Sequence, residues 1–182
     1  MQRSVWYNFG KQKALMMNRY VFYFLLFALC FSVPLHAEIE VLHNRFSGRV
    51  TVRTKPKAPT TRRPRIALIG SHNAEGEPSV LLMVVSTAKS WRYLECHHTY
   101  WLADDKSLWL PQPIHNAQIG AGFVIETLLI APVTIEQIEQ LAQAKKVEFR
   151  VCNDEYEATA EEMNDLRDFL LKLSQSAPKK SP

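Results

Sequence analysis

No acidic residue precedes Glu38, and the four charges of the first 37 residues, Arg3, Lys11, Lys13 and Arg19, are all basic. No apolar run reaches the roughly 20 residues that cross a bilayer; the nearly apolar stretch Tyr20–Val33 has 14. A Gly-x-Ser-x-Gly elbow is missing, which removes one common form of serine nucleophile. Gly120-Ala-Gly122 is followed by no helix start, so it signals a bulge or a close backbone approach and not a phosphate loop. No paired carboxylates and no internal repeat can be recognised. Cysteine is rare: Cys30, Cys96 and Cys152 are the only three.

A basic start, a short apolar run and a small residue at Ala37 make a secretory signal peptide. The alternative is an uncleaved membrane anchor. Residues 1–37 are therefore read as signal peptide, 38–174 as a single globular domain and 175–182 as a disordered polar tail. Translation from Met17 would give a shorter leader of the same kind. The expected location is periplasmic or secreted.

Removing the leader changes the charge balance. Of 22 Lys and Arg, 18 remain, against 18 Asp and Glu. A near-neutral domain gives no reason to expect a nucleic-acid partner. The charge is unevenly spread, however. Arg45, Arg49, Arg53, Lys55, Lys57, Arg62, Arg63 and Arg65 have no acid among them. Within this basic segment 45–65, Lys55–Pro64 reads as an exposed, extended connector. It is a solvated loop or a contact for an anionic surface.

The richest stretch is Ser90–Trp101, with Trp91, Tyr93, Cys96, His97, His98 and Trp101. Read as a strand, it puts Trp91, Tyr93, Glu95 and His97 on one face and Arg92, Leu94, Cys96 and His98 on the other. Leu94 and Cys96 then look like core positions. Trp101-Leu102 is expected to pair with Leu108-Trp109 across a turn at Ala103–Lys106. An exported chain with two remaining cysteines in strands points to a Cys96–Cys152 disulfide. Two buried free thiols are the alternative.

Val50–Arg53, Ile66–Ile69, Val80–Val85, Ile119–Ile130 and Val147–Cys152 read as strands. Val80–Val85 looks buried on both faces or central beneath a helix. Ser71-His72 falls in a turn. Glu126 reads as a solvent-face residue of its strand. Thr134-Ile-Glu-Gln137 and Thr159-Ala-Glu-Glu162 have capping-box spacing ahead of apolar residues at helical intervals. The expected fold is α+β: a curved, mostly antiparallel sheet of five to seven strands, one face covered by two C-terminal amphipathic helices.

His72, His97, His98 and His115 are zinc-type or copper-type ligands alongside Cys96, but the spacing matches no closed site. We therefore expect no metal, no cofactor and no catalytic residue. The expected function is a binding or interaction domain that contacts a protein or a cell-envelope component. Arg49, Arg53, Arg62, Arg63, Trp91, Tyr93, Trp101 and Trp109 are the candidate partner-binding residues. The alternative is a metal-binding protein or enzyme centred on Cys96 and His98.

Overall fold

Two antiparallel sheets and two helices are built from the second part of the chain. The computed structural model describes residues 39–55, 63–73, 76–120 and 122–177. The leader, most of the proline-rich connector and the last five residues lie outside this range.

The larger sheet has six strands: β1 (Ile39–His43), β2 (Val50–Thr54), β3 (Arg65–His72), β4 (Pro78–Ala88), β7 (Ile114–Gly120) and β8 (Phe123–Val133). Their order is β1-β2-β3-β4-β8-β7. The smaller sheet joins β5 (Thr99–Ala103), β6 (Lys106–Leu108), β9 (Val147–Val151) and β10 (Asp154–Glu157) in the order β10-β9-β5-β6. The α+β class is thus correct, with ten strands in two sheets replacing the five to seven expected in one. Two of the additional strands are β1 and β7, whose sequences carry no clean alternation.

Register separates the faces of the large sheet. Ile66 lies opposite Val84, Leu68 opposite Leu82 and Gly70 opposite Val80. These residues are buried and define one face. Arg65 lies opposite Val85, Ala67 opposite Met83 and Ile69 opposite Leu81, and these define the other. Val80–Val85 is therefore not equally buried on both sides: Val80, Leu82 and Val84 are buried, whereas Leu81, Met83 and Val85 are half-buried.

The helices are α1 (Ile135–Gln143) and α2 (Ala160–Gln175). Both start with complete capping boxes, Thr134 with Gln137 and Thr159 with Glu162. α1 buries Ile138, Leu141 and Ala142, and α2 buries Met163, Leu166, Phe169 and Leu173, the spacing of one helical stripe. α2 runs to Gln175 with Ser176 as its C-cap, so the helix enters the segment read as tail.

Gly70 is where α2 meets β3. A Cβ there would lie 2.7 Å from Phe169 Cζ and 3.0 Å from Leu173 Cδ1, so only a hydrogen permits this approach. His72, in β3 and not in a turn, places Nε2 2.8 Å from the Leu173 carbonyl and Nδ1 3.1 Å from that of Gly76.

The Ile119–Ile130 segment is not one strand. Gly122, at φ 85°, occupies the turn that separates β7 from β8. Ser90–His98 is not a strand either: regular pairing begins only at Thr99, and the preceding residues bend. Consequently Leu94 is 48% exposed, not core. The Trp101 hairpin forms with a tighter turn than expected: Trp101 lies opposite Leu108, Leu102 opposite Ser107 and Ala103 opposite Lys106, and Trp109 falls beyond β6.

Candidate binding site

Cys96 and Cys152 form a disulfide, with their Cα atoms 5.9 Å apart. Cys96 is therefore neither a thiolate ligand nor a nucleophile in this state. Among the described residues, no group of three or more His, Cys, Asp or Glu is placed to hold a metal ion.

The bend before β5 is held by Glu126. This side chain is 0% exposed, not on the solvent face. Its Oε2 accepts from the Arg92 backbone N–H at 2.7 Å, and Oε1 accepts from the Tyr93 N–H at 2.9 Å. His115 Nε2 lies 3.1 Å from Oε1. The His115 ring is 6.3 Å from that of Trp91 and 5.7 Å from that of His97, centroid to centroid. The group satisfies backbone donors that no strand pairs, a structural task. Its buried position was readable: Glu126 shares parity with Val124, Leu128 and Ile130.

The aromatic candidates divide by burial. Tyr93 and Trp101 are 1% and 2% exposed and belong to the core, where no partner reaches them. Trp101 stacks on Phe149 at 5.0 Å. The Tyr93 hydroxyl lies 2.8 Å from that of Tyr156, and burial with this contact holds its pKa well above the ordinary 10.0. Trp91 and Trp109 are exposed, the latter by 75%. The register that places Trp101 inward puts Tyr100 on the outside of the small sheet, under the Arg150 guanidinium at 4.7 Å.

The basic candidates converge better. A cleft of about 670 Å³ lies over the sheet face opposite Gly70 and extends round to the first turns of α2. Ala67, Ile69, Met83, Val85 and Ile125 line it with Thr87 and Thr127, all from neighbouring strands. Arg53, Lys55, Arg63 and Arg65 also line it, together with Glu161, Glu162 and Asp165 of α2. Arg53 and Arg63 are thus brought together. Arg49 is exposed near the β1–β2 turn and does not line the cleft. Arg62 lies outside the described residues.

The arginines differ in their electrostatic state. Arg53 Nη2 is 2.7 Å from Glu40 Oε2. Arg63 Nη2 is 2.9 Å from Glu162 Oε2 and 3.0 Å from the Glu157 carbonyl. Arg65 has no hydrogen-bond or ion-pair partner among the described residues. Sequence reasoning named Arg53 and Arg63 individually and Arg65 only as part of the basic segment 45–65, and it missed Met83, Val85 and Ile125. The available signal was apolar residues at both parities of β4 and β8, which is more than one layer of helices can bury.

Comparison of the chain with protein-family models, curated proteins and solved structures returns no match. No helix among the described residues is long and apolar enough to cross a membrane.

Proposed function

We propose that the protein is an exported binding domain that contacts a cell-envelope component through the cleft face of its large sheet, and that it is not an enzyme. In this reading the sheet is curved and the two helices cover its other face, leaving the cleft face for a partner. The observation that carries the proposal is the cleft itself: about 670 Å³, floored by aliphatic side chains and flanked by arginines. That size and lining suit a small-molecule or chain-like ligand, since such sites are concave, mostly apolar and carry few polar groups. A contiguous apolar surface beside charges also marks interaction sites more generally. The disulfide supports the exported setting, because such bonds persist in oxidising compartments.

The test is capture from an envelope extract by the immobilised protein and by Met83→Arg, which puts a charge on the cleft floor. The expected result is a component retained by the wild type and lost with the variant. Retention of the same components by both forms would place the binding surface elsewhere. A turnover of envelope substrates that survives Met83→Arg would overturn the non-enzymatic reading.

A further inference from the structure

We propose that the cleft takes a free long-chain carboxylate, its aliphatic chain along the β3–β4–β8 floor and its head on Arg65. This rests on the cleft reading above and names the ligand class.

The first argument is the chemistry of the floor. Ala67, Ile69, Met83, Val85 and Ile125 are aliphatic or thioether side chains, and among the described residues no aromatic one lines the cleft. Stacking platforms for sugars or nucleobases use aromatic rings. A floor without rings and with a pliable methionine matches a flexible hydrocarbon, which needs area and not direction.

The second argument is charge. Two of the flanking arginines already face carboxylates: Arg53 with Glu40, and Arg63 with Glu162. Arg65 alone of the three has no such partner among the described residues, and it sits opposite Val85 at the edge of the apolar floor. One unmatched guanidinium calls for one negative charge. A carboxylate meets it in the two-pronged geometry that guanidinium favours.

The third argument is size. A cleft of about 670 Å³ lies within the usual range for one small ligand, and it holds a single chain more readily than a two-chain lipid.

The experiment titrates the purified protein with the fluorescent polyene cis-parinaric acid and displaces it with saturated carboxylates of 8 to 16 carbons and with hexadecanol. The expected result is saturable one-to-one binding, displaced by hexadecanoate. Burial of each methylene at about 0.8 kcal/mol makes affinity fall up to fourfold per carbon removed. Arg65→Gln should weaken hexadecanoate about tenfold or more while leaving hexadecanol within twofold. Met83→Asp should abolish both. Arg65→Gln lies beside the floor and keeps the test open if Met83→Asp fails to fold, as judged by circular dichroism.

Absence of saturable binding, no dependence on chain length, or equal binding by Arg65→Gln would overturn the proposal. So would association only with phosphatidylglycerol vesicles, which would mean surface docking. If no carboxylate binds but Met83→Arg still releases a captured envelope component, the ligand class is wrong and the cleft reading stands. If neither occurs, both fall.

Discussion

Glu126 shows how much one side chain can organise. It is fully buried and offers its two oxygens to two backbone N–H groups, with a ring nitrogen of His115 as third neighbour. Replacing one oxygen with an amide puts a donor against a donor. Glu126→Gln should therefore cost about 3 kcal/mol, the scale of an unpaired buried polar group, read as a lower denaturation midpoint. In the sequence this residue looked like an outward acid in an apolar run. Its parity with Val124 and Leu128 was visible, but its donors come from chain positions 33 and 34 residues earlier, which no local pattern links.

Tyr93 gives a second test at the same scale. Its phenol is held in the neutral form, chiefly by burial and next by Tyr156. Above pH 10 an unfolded chain loses that proton while the folded one keeps it, so folding binds protons. Stability from this group is full below pH 10 and declines as pH rises beyond it. Melting temperatures between pH 9 and 11.5 should fall for the wild type and fall less steeply for Tyr93→Phe.

Among the elements, those with strong local signals were legible and those set by distant partners were not. Both capping boxes were readable because the cap residue and its partner lie three positions apart. The further task of Glu162 was hidden: its Oε1 accepts from the Ile66 N–H at 3.0 Å, tying the start of α2 to β3. The Ser90–Trp101 stretch alternates like a strand, yet its first part bends because Glu126 and the disulfide take up the chain. The glycines before Phe123 read as a bulge or a close approach: Gly122 instead sits in the β7–β8 turn, while Gly120 does mark a close approach, since a Cβ there would lie 2.7 Å from the Phe123 ring.

The α2–β3 contact is testable at this level. Gly70→Ala sets a methyl 2.7 Å from the tip of the buried Phe169 ring, so the packing of α2 on β3 must shift. The expected cost is about 1–3 kcal/mol of overpacking. Urea unfolding should show a lower midpoint with an unchanged slope.

At the level of the whole molecule, class and order of elements were readable, while the division into two sheets was not. Pairing of β5 with β9 joins residues about 50 positions apart in sequence, and only tertiary packing selects it. The disulfide reinforces that selection by linking the chain just before β5 to the end of β9 across 56 residues. Chain-entropy reasoning assigns such a closure roughly 4 kcal/mol. The double variant Cys96→Ser/Cys152→Ser should lose a stabilisation of that order, measured by denaturant unfolding against the oxidised wild type.

The bend from Ser90 to His98 is fastened at two places, by the Glu126 carboxyl group at Arg92 and Tyr93 and by the sulfur bridge at Cys96. Its main chain should therefore behave unlike an ordinary loop in deuterated solvent. The amides of residues 92 and 93 should exchange as slowly as those of the central strands, opening only when the whole domain does. In Glu126→Gln the same two amides should exchange within the dead time of the measurement, while β3 and β4 stay protected.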